Sequence, residues 1–445
     1  MTHVRTSATL ICLVASLALT GCGKSSPKKQ SAAPKAASTA NNAANNDDPK
    51  AAKAAPAKQD KPAAAPKKKV KVTLWHAYRD AERKALDQII DGWNKAHPET
   101  QVTTLAVPFD ALIDKAQVAI PRGNGPDLII FAHDKVGVWA RDQLIQPLGD
   151  FATGERLKRF LPQTVKPLVF ERAVYGLPLA FKSTALFYNK KLVPTPPKTV
   201  AELVTMSKKL TDAKAGRFGL AYDAADLYYH ASWLHGFGGQ VFDETSRSLT
   251  IDSPAAIQAA ERVRALHKND GVLPKGMTGF VVTAMFNEGK VGFVINGPWF
   301  LSEVEDVEYG VAVLPELAPG KPLKPYLGSE AVMLSAKTKL REAALQVADH
   351  IVSDASAKVR LNVGRQLVAN KAAYDDPKVK TDAVISTFRA QANQAVPMPN
   401  AVEANVAWAP YSNALRKIVF GDAKAADALK TADAQAKAAA AKLRK

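Results

Sequence analysis

Cysteine is scarce in this chain. Its 445 residues include only Cys12 and Cys22, both close to the N-terminus. If the segment that carries Cys12 is removed on export, one cysteine remains and no disulfide can form within the mature chain. The sequence therefore excludes a disulfide-stabilised scaffold and a centre ligated by several cysteines.

The short motifs of common catalytic and metal chemistries are also missing. The sequence has no HExxH, CxxC, P-loop or G-x-S-x-G pattern. The histidines are dispersed, and His76, His133, His230 and His235 are too scattered to form a metal motif. We also find no internal repeat. We therefore expect no catalytic residue, no metal site and no cofactor.

Long apolar runs are absent after the N-terminal segment. Residues 10–19 are apolar but too short to span a bilayer, and Arg5 precedes them. A short apolar core after a positive charge is typical of an export signal. The core ends in Leu19-Thr20-Gly21-Cys22, which resembles the bacterial lipobox, in which the cysteine is lipidated. We predict a lipoprotein signal peptide over 1–22 and lipidation of Cys22; an ordinary secretory signal is the alternative.

Residues 23–69 contain no aromatic residue and no Val, Ile, Leu or Met. Such a segment has almost nothing to bury and cannot offset its ordering entropy, so we predict a disordered tether. It carries eleven lysines and three aspartates, a net charge of +8 out of the formal +18 of the chain. Much of the basicity is thus tether charge, which favours a solvated or lipid-facing segment over a nucleic-acid binder.

The remaining 376 residues are long for a single core and suggest two. Their first part alternates strand and helix patterns, which predicts an α/β fold. We predict strands over 70–74, 101–106 and 127–131, the last apolar throughout as expected in a buried parallel sheet, and helices over 81–96, with Asp80 as N-cap, and over 109–120. Residues 174–178 predict a strand that meets a turn, and the prolines between 315 and 325 predict a loop. Loops that follow the strands of such sheets are where ligands bind.

Four stretches carry a resemblance to a known family. They are GNGPDLIIFAHDKVGVWA from Gly123, VYGLPLAFKSTALFYNKKLV from Val174, GKVGFVINGPW from Gly289, and Met398-Pro399-Asn400. In this order and at about this spacing they resemble the maltose/maltodextrin-binding type of bacterial extracellular solute-binding proteins. The resemblance covers residues 70–445.

The resemblance implies a two-lobed periplasmic-binding-protein fold of type II, whose chain crosses three times between the lobes. We expect the crossings near 181–184, 327–330 and 374–377. Lobe 1 would then comprise 70–180 and 328–375, and lobe 2 would comprise 185–326 and 376–445.

A sugar site needs aromatic planes for the apolar ring faces and fixed polar groups for the hydroxyls. By residue-by-residue correspondence, the resemblance implies these ligand-binding residues: Arg79, Asp80, Phe131, Asp134, Lys135, Lys182, Asp226, Tyr228, Trp299, Met398 and Trp408.

Several of these positions depart from the family pattern. Lys182 replaces a glutamate and Phe131 a tryptophan, while Asp226 replaces a glutamate. Lys135 stands in for an arginine. At Arg79-Asp80 the order of the charges is reversed, because the family has an acid followed by a base there. Ala409 and Ser412 replace an aromatic residue and an arginine. We therefore expect a neutral oligosaccharide, without maltose being assured as the best one.

Structural roles are the alternatives for single residues. A tryptophan in a domain of this size is commonly part of the core, as we expect for Trp75 and Trp93. Asp134 could cap the next helix. Lys182 could be a solvated residue on the first crossing.

The resemblance implies a lipid-anchored, extracytoplasmic, monomeric binding protein that closes around an oligosaccharide and docks on the permease subunits of an ABC importer. One alternative is another solute on the same fold, such as a polyamine, a peptide or a metal. A glycoside hydrolase that uses Asp134 and Asp226 as its carboxylate pair is a second alternative. A nucleic-acid binder is a third, suggested only by the sequence pI of about 9.6.

Overall fold

The structure is a computed structural model that describes residues 69–443. The predicted signal peptide, Cys22 and nearly all of the predicted tether lie outside the described residues.

The strands, in chain order, have the following bounds: β1 Val70–His76, β2 Thr100–Ala106, β3 Leu128–Ala132, β4 Ile145–Gln146, β5 Val169–Phe170, β6 Ala173–Val174, β7 Gly176–Lys182, β8 Ala185–Asn189, β9 Phe218–Ala221, β10 Phe242–Asp243, β11 Ser248–Leu249, β12 Val291–Asn296, β13 Tyr309–Ala312, β14 Glu316–Ala318, β15 Lys321–Pro322, β16 Tyr326–Ser335 and β17 Val396–Pro397.

The α-helices have the following bounds: α1 Asp80–Ala96, α2 Phe109–Ala119, α3 Val136–Arg141, α4 Gly154–Lys158, α5 Pro162–Val165, α6 Val200–Leu210, α7 Leu227–Gly236, α8 Pro254–Lys268, α9 Gly279–Asn287, α10 Arg341–Ile351, α11 Asp354–Asn362, α12 Pro377–Thr381, α13 Ala383–Gln394, α14 Val402–Asn405, α15 Trp408–Val419 and α16 Ala425–Leu443. None of the helices between residues 69 and 443 is both long and apolar enough to cross a bilayer.

The first sheet has seven strands, in the order β17-β16-β3-β1-β2, with β4 and β7 also paired to β16. Strand β1 is parallel to β2 and β3, whereas β16 is antiparallel to β3 and β7. We call this sheet, without β17 and Tyr326, and the helices packed on it lobe 1.

Alternation along β3 fixes how lobe 1 packs. Leu128 and Ile130 point to the hydrophobic cluster that contains the buried face of α1, and Ile129 and Phe131 point to the opposite cluster. Successive side chains of a strand face opposite sides, so a strand that is apolar throughout must be covered on both faces. The continuous apolar pattern of this strand correctly predicted a buried parallel strand.

The second sheet has four strands in the order β13-β8-β12-β9. Along β12, Phe293 and Ile295 join one hydrophobic cluster while Val294 joins another, so this sheet is also covered on both faces. Helix α6 begins with a capping box between Thr199 and Glu202, which satisfies free backbone donors at its start. We call this sheet and its packed helices lobe 2.

The chain leaves the first sheet at Lys182 and enters the second at Ala185, so only Ser183 and Thr184 separate the two strands. It returns to the first sheet with the ten-residue strand β16. Later α13 packs on β13 of the second sheet.

Three local predictions differ from the structure. Asp80 is the first residue of α1 and Arg79 is its N-cap, with φ of Asp80 at 44° in the left-handed region. Pro178 continues strand β7 where a turn was expected, because β7 pairs along its length with β16. The proline-rich segment before β16, expected to be a loop, contains the antiparallel pair β14–β15.

Candidate functional site

Most of the predicted ligand residues lie at the ends of strands or at helix starts. From lobe 1 come the loops after β1 and β3 and the end of β7, and from lobe 2 come the start of α7 and the 3₁₀ turn Pro298–Ser302 that follows β12. Carboxyl ends of parallel strands meet at one edge of a sheet, which is where α/β proteins bind ligands. Contacts between the two lobes show that these edges face each other, as described below.

Four aromatic rings form a row on the lobe 2 side. The centroid of Tyr228 lies 6.0 Å from that of Trp299 and 6.5 Å from that of Tyr326. Tyr326 in turn stacks on Trp408 at 6.2 Å with 22° between the ring planes. Trp299, Tyr228 and Trp408 are partly exposed, while Tyr326 is buried. We call these four residues the aromatic row.

Trp299 needs the glycine that lies two residues before it. A Cβ added to Gly297 would lie 2.2 Å from the indole ring, a distance at which the ring would have to move. Pro298 then starts the 3₁₀ turn that carries the ring. The motif Asn-Gly-Pro-Trp thus has a physical reason, because only glycine lets this ring fold back over the chain.

Tyr228 is fixed by the cap of its helix. The carboxylate of Asp226 accepts a hydrogen bond from the Tyr228 backbone N–H at 2.6 Å and is the N-cap of α7. Burial raises the pKa of Asp226 to about 6, and the negative charges of Asp223 and Asp110 add to the effect. The bond from Tyr228 N–H and the charge of Arg416 work in the opposite direction. Asp110 belongs to lobe 1, so its charge acts on Asp226 across the two lobes.

Lys182 lies between two carboxylates of lobe 1. Its Nζ is 3.2 Å from Oε1 of Glu82 on α1 and 3.2 Å from Oε1 of Glu330 on β16. The same ammonium lies 5.9 Å from the ring centre of Trp299 in lobe 2. We call Lys182, Glu82 and Glu330 the charged floor. Lys182 is thus an ion-paired residue and not merely a solvated one.

The charged groups of the floor shift one another's pKa values. Burial disfavours the ammonium, but the carboxylates of Glu330 and Glu82 outweigh it and raise the pKa of Lys182 above its usual value. Burial raises the pKa of Glu82, and Glu330 adds to this, while Lys182 opposes both. The two carboxylates therefore raise the pKa of Lys182, whereas burial and the charge of Glu330 raise the pKa of Glu82 more than Lys182 lowers it.

Asp134 and Lys135 follow β3 and form an ion pair at 2.8 Å. The ammonium of Lys135 also donates to Oδ1 of Asn405 in α14 at 2.7 Å. Asn405 donates from its amide nitrogen to the backbone oxygen of Asp134. A small cavity beside them is lined by Asp134, Asn405, Tyr326 and Trp408, among others. The structure therefore brings Asp134 and Lys135 to one end of the aromatic row.

Arg79 reaches across to lobe 2, where its guanidinium pairs with the carboxylate of Glu303. Thr283 of α9 donates to the other oxygen of Glu303 at 2.8 Å. Arg79 is 68% exposed at its side chain and Glu303 only 14%. Asp80, beside Arg79, is exposed. This ion pair therefore joins the two lobes at the solvent edge.

Phe131 and Met398 offer almost no surface to a ligand in this structure. Phe131 is 1% exposed, because Phe109 stacks over it at 4.5 Å and Trp139 lies 5.1 Å from it. Met398 is 6% exposed and belongs to the main core of lobe 2. The exposed aromatic surface next to Phe131 is that of Phe109, which is 51% exposed.

Sequence reasoning missed several residues of this region, namely Glu82, Glu330, Glu303, Tyr326, Asn405 and Phe109. Each reaches the site through a contact with a residue far away in the sequence. Glu82 and Lys182, for example, are separated by 100 positions. No local pattern signals such a pairing.

The family model described as bacterial extracellular solute-binding protein matches residues 77–358. The maltooligosaccharide ABC transporter solute-binding lipoprotein of Streptococcus pneumoniae is 29% identical over 390 residues, covering 82% of this chain and 89% of that protein. The galactooligosaccharide-binding protein of Bacillus subtilis is 27% identical over 395 residues, covering 85% and 92%.

A solved structure with a similar fold is the Thermus thermophilus maltotriose binding protein bound with maltotriose. Its TM-score is 0.77 at 26% identity, with 83% of this chain and 99% of that chain covered. The two lobes described above are thus those of the periplasmic-binding-protein fold. Because the family model spans more than half of the chain, the protein belongs to the family of bacterial extracellular solute-binding proteins.

Proposed function

We propose that this protein is the substrate-binding component of a carbohydrate ABC importer and that it binds a neutral oligosaccharide of the maltodextrin type. The observation that carries the proposal is the aromatic row facing charged hydrogen-bonding groups across the lobes. Partly exposed rings match the apolar faces of sugars, and fixed charged groups match their hydroxyls. Relatives named for maltooligosaccharides and for galactooligosaccharides support the ligand class.

Binding would proceed by closure of the lobes around the sugar. The lobes we propose are 70–180 with 328–375 and 185–326 with 376–445. The Arg79–Glu303 pair and the approach of Lys182 to Trp299 join the two lobes, so they support a closure that brings the two edges together. The closed form would then dock on the permease subunits, as a ligand that binds the closed state best shifts the population towards it.

The proposed site residues are those that the structure brings to the facing edges. They are Asp134, Lys135, Lys182, Asp226, Tyr228, Trp299 and Trp408, with Asp80 and Arg79 at the solvent edge, where Arg79 links the lobes through Glu303. Phe131 would act only through Phe109, on which it stacks, and Met398 only through the packing beneath the row.

A glycoside hydrolase is a weaker candidate on this geometry. Asp134 is paired with Lys135 at 2.8 Å, and Asp226 is engaged as a helix cap. A retaining or inverting mechanism needs one carboxylic acid that protonates the leaving group and a second carboxylate opposite it. Both aspartates already have structural partners. We propose a non-enzymatic role.

A thermal-shift screen tests the proposed function directly. The mature protein would be heated with maltose, maltotriose, maltotetraose, galactooligosaccharides, spermidine and a tripeptide. A ligand that binds only the folded state adds about 2.7 kcal/mol at one hundred times its Kd. We expect a rise in Tm with one or more oligosaccharides. A rise with spermidine or the peptide alone would refute the sugar assignment.

The location of the protein rests on the N-terminal segment. We propose that residues 1–22 direct export and that lipid on Cys22 anchors a monomer at the extracytoplasmic face of a membrane, with residues 23–69 as a disordered tether. A relative named as a lipoprotein supports this. Cys22→Ser should release the protein from the membrane fraction, whereas unchanged retention of the variant would contradict lipidation. Slow hydrogen exchange across residues 23–69 would contradict the tether.

A further inference from the structure

The two carboxylates of the charged floor accept hydrogen bonds from a second set of residues, Tyr78 and Gln366. Tyr78 donates its hydroxyl hydrogen to Oε2 of Glu330. The amide nitrogen of Gln366 donates to Oε1 of Glu82 at 3.2 Å and lies 3.5 Å from Oε2 of Glu330. Both carboxylates are therefore fixed by donors other than Lys182, and their side chains are only 11% exposed.

A second cation lies behind Tyr78 and Gln366. The guanidinium of Arg360, whose residue is 1% exposed, lies 6.0 Å from the ring centre of Tyr78 and donates to Oε1 of Gln366 at 3.5 Å. Arg360 thus contacts the two residues that hold Glu330. Buried charges are tolerated when they are paired and hydrogen-bonded, as Glu82 and Glu330 are with Lys182.

The arrangement limits what Lys182 can do. An ammonium has three N–H donors and no acceptor. Glu82 accepts a hydrogen bond from one of these donors, Glu330 pairs with the ammonium at the same distance of 3.2 Å, and the side chain is still 24% exposed. One donor is left for a ligand oxygen, in a direction set by the other two. A free lysine would have to give up rotamer freedom to reach the same position.

We propose that Glu82 and Glu330 are positioning residues, which fix the Lys182 ammonium beneath Trp299 so that its one remaining N–H donates to an oxygen of the bound sugar. The inference rests on the proposed function and deepens it. The carboxylates determine ligand selection through Lys182, without touching the ligand themselves. A ligand oxygen that can accept a hydrogen bond, as in a neutral sugar, matches this donor.

A double-mutant cycle distinguishes this positioning role from a direct ligand contact and from a purely structural role. Glu330→Gln, Lys182→Met and the double variant would be titrated by calorimetry with maltotriose or with the best sugar of the screen. Alone, Glu330→Gln should weaken binding about tenfold, the size of one hydrogen bond to a charged group. In the Lys182→Met background the same substitution should change affinity less than about twofold. Glu82→Gln provides a second cycle if Glu330→Gln does not fold.

The matched control is Asp270→Asn. Asp270 pairs with Lys208 at 2.8 Å and with Arg262 at 3.1 Å, and its side chain is 15% exposed, close to the value for Glu330. This substitution also removes an anion from an ion-paired cluster, but on α6 and α8 of lobe 2. It should lower Tm without changing affinity.

Three results would overturn the proposal. An equal loss of affinity in both backgrounds would make Glu330 a direct ligand contact. A fall in Tm with unchanged affinity, as in the control, would make it purely structural. Lysine ammonium NMR of the sugar-free protein gives a further test, since a held Lys182 should show a slowly exchanging signal that Glu330→Gln abolishes. If no sugar binds the wild type, the proposed function fails whatever the NMR shows, whereas a missing NMR signal refutes the positioning alone.

Discussion

Lobe 1 presents mainly charged side chains at its edge of the cleft, while lobe 2 presents mainly aromatic rings. The charges of lobe 1 are fixed by ion pairs and hydrogen bonds, as Lys182 is by Glu82 and Glu330. The rings of lobe 2 are fixed by packing, as Trp299 is by the absence of a side chain at Gly297. Directional groups discriminate between ligands, whereas apolar surface adds affinity to many of them. We therefore expect lobe 1 to control selectivity and lobe 2 to control affinity.

Removing the cation of the charged floor should have the largest effect. Lys182→Ala leaves two carboxylates without their shared partner, and breaking a buried pair this way costs about 3–5 kcal/mol of stability. It should also weaken sugar binding by about 1–3 kcal/mol and change the ranking of a sugar panel, since a charged donor is lost. Urea unfolding and calorimetry would measure the two effects.

The same variant has an expected pH signature. Burial and the neighbouring Glu330 raise the pKa of Glu82, and losing Lys182 removes the opposing charge. A carboxyl whose pKa is raised in the folded state takes up its proton on folding as the pH falls. The stability deficit of Lys182→Ala should thus shrink between pH 7 and pH 5. The control is Lys208→Ala, which removes a half-exposed lysine from an ion pair in lobe 2. An equally large and equally pH-dependent loss of stability in this control variant would contradict the special role of the charged floor.

The next largest effect on stability is expected at a buried histidine. The two lobes differ in whether the ring nitrogens of their buried histidines have hydrogen-bond partners. His133 of lobe 1 has both ring nitrogens within hydrogen-bond distance of backbone groups. His230 of lobe 2 is 0% exposed, and both of its ring nitrogens lack a partner. Burial lowers the pKa of His230 to about 3, with a smaller contribution from His235.

The sign of the pH dependence follows from this shift. Below a pH of about 6.5 the unfolded chain binds a proton at His230 that the folded chain does not, so stability falls by about 1.4 kcal/mol per pH unit down to the folded pKa. His230→Phe should therefore lose less stability than the wild type between pH 6.5 and pH 4.5, by about 2–3 kcal/mol. Val263→Ala, another core change in lobe 2, should leave the pH slope unchanged. Parallel slopes for wild type and His230→Phe would refute the prediction.

The aromatic row should show a smaller effect, on affinity alone. Trp299→Ala should weaken every sugar that binds by about 1–3 kcal/mol, the range for a desolvated aromatic anchor. Trp408→Ala should act in the same direction. Phe280 of α9, which is 84% exposed, supplies the control, because Phe280→Ala removes an aromatic ring without touching the row. A Trp299→Ala protein that keeps its Tm and full affinity would contradict the site.

The sequence pattern predicted which strands are buried better than it predicted the side-chain contacts between elements. The apolar run of β3 predicted a strand covered on both faces, since burial of both faces follows from local composition. The burial of Phe131 did not follow, because it depends on Phe109 stacking over it. The partners of Lys182 could not be predicted either, since they come from α1 and β16 and leave no local signal. Long-range electrostatic pairs depend on the completed topology.

The smallest effect is expected at the other contact between the lobes. One contact between the lobes is the approach of Lys182 to Trp299, and the other is the pair of Arg79 with Glu303. The side chain of Arg79 is 68% exposed. Exposed ion pairs contribute about 0.2–1 kcal/mol and are screened by salt. Arg79→Ala should therefore weaken sugar binding less than about fivefold, and the difference from wild type should vanish at about 1 M salt, where the Debye length is about 3 Å. The Lys182→Ala deficit, which arises in a buried cluster, should persist in the same salt. Titrations of both variants at low and high salt compare the two contacts directly. A salt-resistant loss at Arg79 would mean that its guanidinium contacts the ligand and does more than link the lobes.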